Sequence, residues 1–171
     1  LNQQQRGEQI MIDLLKRHPH HAGANNDLGY TWADRGEHLE EARQMIQMAV
    51  DAEPKSASYI DSLGWVNYKL GRFDEAIMAL RRAPELRQLD PIILDHLGDA
   101  LFRAGNKPKA GQRWKQAEEQ IKKRGPNIRA NHRELAARVG LKLKALRANA
   151  HPPVADVPAI DAKGAPQPPE A

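Results

Sequence analysis

Apolar residues along the chain recur at the three- and four-residue spacing of helices, and that pattern itself recurs every 34 or 35 residues. The clearest copy runs from Ala57 to Asp90, ASYIDSLGWVNYKLGRFDEAIMALRRAPELRQLD. A forward shift of 34 places Leu63-Gly64 on Leu97-Gly98, Gly71 on Gly105, Ala76 on Ala110 and Ala83 on Ala117. A backward shift of 34 or 35 gives Leu28-Gly29, Gly36, Ala42 and Ala49. Each copy reads as two helices joined at a glycine, so the pattern predicts an all-α superhelix, a solenoid of antiparallel helix pairs.

Read in order, residues 1–21 form one helix, with Ile10, Met11 and Leu14 on a single face, stopped by Pro19. Pro19 precedes Pro54 by 35 residues, which suggests the second helix of an earlier repeat in a longer array. Complete repeats are expected at 22–56, 57–90 and 91–124. Their first helices span Ala24–Asp34, Ser58–Leu70 and Pro91–Ala104, and their second helices start near Leu39, Asp74 and Lys107. The turn in RGEHLEEA is one residue longer than its counterpart in KLGRFDEA, an insertion that a surface turn tolerates. Pro84 falls inside the second helix of its repeat, where a proline removes a hydrogen bond and clashes with the preceding turn; that helix is expected to end or kink near Ala83. After Gly125-Pro126, residues 127–149 carry an apolar stripe of Leu135, Val139, Leu143 and Leu146, with Asn131 and Glu134 spaced as a capping box. This reads as a helix capping the last repeat, which would otherwise leave an apolar face in water. Residues 150–171, with 6 prolines and 6 alanines, have too little apolar bulk to offset the entropy of ordering and are expected to be disordered.

Glycine in a helix interior costs about 1 kcal/mol relative to alanine. Yet Gly29, Gly64 and Gly98 each sit mid-helix. The reading is steric: they admit close approach of the second helix, which presents Ala42, Ala76 and Ala110, while Ala49, Ala83 and Ala117 let the next repeat come near.

These residues resemble the tetratricopeptide repeat, with its 34-residue period and W-x2-L-G-x2-Y, A-x3-F, P signature. Here the first part reads Asn25-x2-Leu28-Gly29-x2-Trp32, Ile60-x2-Leu63-Gly64-x2-Asn67 and Leu94-x2-Leu97-Gly98-x2-Leu101. The second reads Ala42-x3-Ile46, Ala76-x3-Leu80 and Ala110-x3-Trp114. Asn67 departs from the aromatic, and Gln88 replaces the closing proline seen at Pro19 and Pro54. The phrases YIDSLGW and LDHLGDAL resemble the last repeats of long bacterial members.

The resemblance implies that first helices line a concave face and that the chain is a protein–protein interaction scaffold binding a peptide or protein segment there. Carried over by position, the groove would comprise Asn26, Tyr30 and Asp34, then Asp61, Trp65, Tyr68 and Lys69, then Asp95, Asp99, Phe102 and Arg103. Such an aromatic and acidic lining suits a peptide with basic residues. The alternative for Trp65 and Tyr68 is packing against neighbouring helices. Some members clamp a C-terminal carboxylate with basic side chains, but the matching positions hold Asn26, Tyr30, Ser62, Ile92 and His96, which lack them.

Composition adjusts this picture at a few points. With 28% charged residues and no long apolar run, no transmembrane helix is expected and the chain reads as soluble; composition assigns no compartment, and the resemblance to bacterial members implies the bacterial cytoplasm or cell envelope. The absence of cysteine excludes disulfides and thiolate metal sites. Residues 1–121 hold 16 Lys/Arg against 18 Asp/Glu, residues 122–149 hold 9 against 1, and the last 22 hold 1 against 3. The basic segment comprises Lys122, Lys123, Arg124, Arg129, Arg133, Arg138, Lys142, Lys144 and Arg147. It has no interleaved aromatics for stacking single strands, so it reads as the solvated outer face of the cap, with Lys142 snorkelling at its edge, rather than a nucleic-acid site. His18, His20 and His21 flank Pro19 without a carboxylate or thiolate to complete a metal set. His96 beside Asp95 and Asp99 has the makings of an acid–base pair, yet no nucleophile or phosphate loop accompanies it, so no catalysis and no cofactor are expected of this segment. The alternative function is a regulatory or substrate-recruiting arm of an enzyme encoded upstream. APQPP in the tail is a weak candidate ligand for a proline-reading domain.

Overall fold

The computed structural model describes residues 3–87, 90–125 and 130–157. All regular structure among them is helical: α1 (Gln3–Arg17), α2 (Ala22–Arg35), α3 (Leu39–Ala52), α4 (Ala57–Lys69), α5 (Phe73–Arg87), α6 (Pro91–Arg103), α7 (Lys107–Lys123) and α8 (Ala130–Arg147). Helices α2/α3, α4/α5 and α6/α7 form the three pairs, and α8 packs on α7. The first helices also touch one another, α2 with α4 and α4 with α6, which puts them on the inner side of the array.

Steric fit sets the distance within each pair. A Cβ at Gly98 would stand 2.3 Å from Trp114 Nε1, one at Gly64 2.4 Å from Leu80 Cγ, and one at Gly29 2.8 Å from Ile46 Cγ1. Close approach is therefore the role of these glycines: at Gly29 it admits the Ala42 carbonyl, 2.9 Å from such a Cβ, together with Ile46, and at Gly64 and Gly98 the large residue four positions after the alanine. Ala42, Ala76 and Ala110 are themselves fully buried, as are Ala49, Ala83 and Ala117. Between helices the chain turns at Gly36 and Gly71 with φ of 74° and 73°, a region that costs glycine nothing. The extra residue of the first turn is taken up at His38, held at φ 47° with its ring 4.8 Å from that of Trp32.

Two expectations need correction here. Helix α5 does not end at Ala83; it continues to Arg87, because Leu80 and Ala83 are completely buried and their packing holds the segment in place. Asn131 is the second residue of α8 rather than its cap. Gln88, Pro126 and Arg129 lie outside the described residues, as do 158–171.

Departures from the repeat signature have partners in space. Asn67, where an aromatic is usual, is buried and its amide oxygen accepts from Arg43 Nε at 2.9 Å, tying α4 to the preceding α3. Trp114, in place of phenylalanine, donates its indole N–H to Asp99 at 3.0 Å. Trp32 donates to Glu8 at 2.7 Å, and Arg35 pairs with the same carboxylate, joining α1 to α2. Those contacts hold the Glu8 carboxyl below its usual range, Arg35 most of all and then Trp32. His21 caps α2 by accepting the Ala24 N–H at its Nδ1, 3.1 Å away.

Candidate functional site

The inner faces of α2, α4 and α6 line a groove of about 500 Å³, bounded on its other side by α8 and by the chain beyond it. Of the residues expected on the concave face, Tyr30, Asp34, Trp65, Lys69, Asp95 and Asp99 line this cavity. Trp65 and Tyr68 are buried and stacked, their rings 5.2 Å apart and nearly parallel, with His96 on the other face of Trp65 at 4.4 Å. Both aromatics therefore pack, while the Tyr68 hydroxyl also reaches the inner surface, where it donates to the Ala155 carbonyl. Lys69 lies 5.5 Å over the Trp65 ring, its amine shifted below its usual range by burial. Asp34 accepts from the Trp65 indole at 3.3 Å. Asn26 is buried and its Oδ1 has no hydrogen-bond partner among the described residues.

The acidic residues of α6 are occupied from within the chain. Lys142 Nζ, with 0% of its side chain exposed, lies 2.7 Å from Asp95 Oδ1 and 2.6 Å from Asp99 Oδ1. Arg138 donates twice to Asp95 Oδ2, at 3.0 and 2.9 Å. Lys142 is therefore not a snorkelling surface residue, and Arg138 is not free on an outer face: helix α8 turns both toward α6. The reason is spacing. Asp95 and Asp99 are four apart on one helix, Arg138 and Lys142 four apart on the other, so each pair presents one face. Lys122, Lys123, Arg124, Arg133, Lys144 and Arg147 remain exposed. Asp99 keeps a raised proton affinity, chiefly from burial and then from Asp95, with Lys142 opposing.

His96 Nδ1 sits 3.0 Å from Asp61 Oδ1. Burial disfavours the charged imidazole, but Asp61, with Asp95 and Asp99, outweighs it and raises the pKa. The pair is nearly sealed from solvent and links α4 to α6.

The largest difference from expectation is the stretch after α8. Residues 150–157, expected to be disordered, lie along the inner surface. Pro152 and Val154 are buried, and the Val154 N–H closes a tight turn on the Pro152 carbonyl at 2.8 Å. The Ala155 carbonyl accepts from the Tyr68 hydroxyl and from Arg103 at 2.9 Å. Phe102 meets the His151 ring edge-on at 5.1 Å, and Val157 rests near Gly71. Burial, then the Asp99 charge, pushes the Tyr68 phenol up to about 12, so it remains a donor across ordinary pH. Composition underestimated this segment because its order comes from a few specific contacts with α4 and α6 rather than from apolar content. The complementary spacing of the α6 carboxylates and the α8 cations was the one sequence signal that could have placed α8.

Three antiparallel pairs of one period, with first helices facing a groove, define a helical-repeat scaffold. The family model of the tetratricopeptide repeat matches residues 5–57 and 62–124, and the chain belongs to that family. It is 40% identical over 86 residues to a TPR repeat-containing protein of Pseudomonas aeruginosa, an alignment covering 50% of this chain and 14% of that protein. Among solved structures, the type III secretion translocator chaperone SycD of Yersinia enterocolitica superposes with a TM-score of 0.67 at 20% identity, covering 75% of this chain and 92% of its own. PcrH in complex with the chaperone binding region of PopD gives 0.65 at 20% identity, covering 80% and 93%. MamA of MSR-1 gives 0.60 at 22%, covering 71% and 69%. Proteins of this repeat family are generally non-catalytic scaffolds. No described helix is long and apolar enough to cross a membrane.

Proposed function

We propose that this array is a protein-binding scaffold whose concave groove receives a segment of a partner protein. The observation that carries this reading is that the groove already accommodates a stretch of polypeptide, residues 150–157, through its backbone and one aliphatic side chain. PcrH, a protein of similar fold, is seen in complex with a binding region of another protein, which agrees in kind. Asp95 and Asp99 are not available to a basic peptide, since Lys142 and Arg138 take up their charge. A basic side chain in the partner would instead meet the exposed Asp34 and Glu134 at the rim. A photo-crosslinking residue in place of Lys69, on the groove, and in place of Met78, which is 71% exposed, tests the reading in cells. A discrete adduct is expected from position 69 alone; adducts from position 78 only would place the docking surface elsewhere.

A further inference from the structure

The segment after α8 has the marks of a peptide ligand rather than of a structural element. Its link to the body is short: α8 ends at Arg147 and the buried Pro152 follows five residues later. Within the segment, recognition is concentrated at two points. Val154 is 8% exposed and packs into the apolar core beside the groove, and one residue on, the Ala155 carbonyl receives both the Tyr68 hydroxyl and the Arg103 guanidinium. Around these points Pro152 is buried, His151 meets Phe102 edge-on and Val157 rests near Gly71, while Ala155 N–H reaches Asp99 only at 3.5 Å and Asp156 is fully exposed, 3.8 Å from Arg103. A carbonyl read by two side-chain donors next to a buried aliphatic residue holds a peptide at two points, the carbonyl contact open to any sequence and the buried side chain selecting among them. Tyr68 and Arg103 themselves are ordered by the array, Tyr68 by its stack on Trp65 and Arg103 by its place at the end of α6.

Resting on the concave-face reading above, we infer that residues Pro152–Val157 are an in-chain ligand: the groove takes a peptide that turns at a proline and then presents an aliphatic and a small residue, and the chain's own segment holds that place until such a peptide displaces it. A tether this short gives the in-chain segment a local concentration on the order of millimolar, so a peptide in trans binds the intact chain only weakly. Apparent affinity falls by the fraction of molecules with the groove open.

The probe is a labelled synthetic peptide of residues 150–157, AHPPVADV. The full chain carrying Val154→Asp places a carboxylate in that apolar contact beside Asp99 and releases the segment. This variant is expected to bind the probe at least tenfold more tightly than the unsubstituted chain, and to gain thermal stability on adding it where the unsubstituted chain does not. Binding is expected to disappear when Arg103→Ala is added, or when the probe carries aspartate at its valine corresponding to Val154. Should Val154→Asp fail to fold, the full chain with a protease site at residues 148–150 is cut after folding; the released segment should leave on gel filtration and the probe should rebind. Equal binding by both forms, no binding by the opened groove, or unfolding of the body once the cut segment leaves would each overturn the inference. If the opened groove refuses the probe while position 69 still crosslinks to a partner, the in-chain ligand fails and the scaffold reading stands; loss of both removes both.

Discussion

The seam between α6 and α7 and the seam between α6 and α8 share one helix and are built on opposite principles. Toward α7, Gly98 admits the Trp114 ring, and contact depends on shape. Toward α8, Asp95 and Asp99 meet Arg138 and Lys142, and contact depends on charge brought out of water. The first kind recurs at Gly29 and Gly64, since each repeat closes its own helix pair at the same short distance. The second occurs where the array stops. A matched set of two carboxylates and two cations distinguishes the terminal helix from another repeat, a way of fixing one partner and one register.

The largest test breaks the charge seam. Lys142→Ala leaves Asp95 and Asp99 facing each other without their shared cation, and should cost about 3–5 kcal/mol. Because neighbouring repeats are only locally coupled, the loss should appear as faster amide exchange in α8 while α4 is unchanged. Replacing the pair by apolar and neutral groups, Lys142→Met with Asp99→Asn, should recover most of that loss in urea unfolding, since the uncompensated charge goes with it. Failure of recovery would mean that the seam depends on more than charge balance.

Next in size, Gly98→Ala drives a methyl into the Trp114 indole and should destabilise by about 1–3 kcal/mol, read as a lower urea midpoint. Gly64→Ala should cost less, because its obstacle, the Leu80 side chain met at Cγ, carries no hydrogen bond that must break when it shifts, whereas the Trp114 ring also bonds Asp99. Equal costs would show that shape is not what separates these seams.

The smallest effect concerns pH. His96 has a folded pKa raised above its unfolded value near 6.5, so the stability contributed with Asp61 is fully present below about pH 6.5 and is lost as pH rises through the folded value. His96→Gln should flatten this part of the stability–pH profile. An unchanged slope would assign the dependence to another group.

Much of the array was legible in sequence for a physical reason: helix pairs packed at one repeated distance require small residues at fixed intervals, and Gly29, Gly64 and Gly98 sit at those intervals. Lys107–Lys123 was legible at both ends, since a glycine turn precedes it and Gly125 follows. Pro84 did not end its helix, since the burial of Leu80 and Ala83 holds the segment where local propensity would have stopped it. The concave list brought six residues to the groove, yet two of its carboxylates, Asp95 and Asp99, are paired within the chain, because the cations that meet them come from α8, 43 to 47 residues away.

By itself the sequence determined the repeat register, a consequence of spacing along the chain, and through the residues at those spacings the family; that first helices face inward is what the resemblance to the family implied. The tertiary structure alone decided what the inward face meets. Lys142 and Arg138 bind Asp95 and Asp99, and residues 150–157 lie in the groove, because α8 folds back across α6 and carries the following chain with it. Periodicity encodes the contacts that repeat; these occur once, and nothing in the period specifies them.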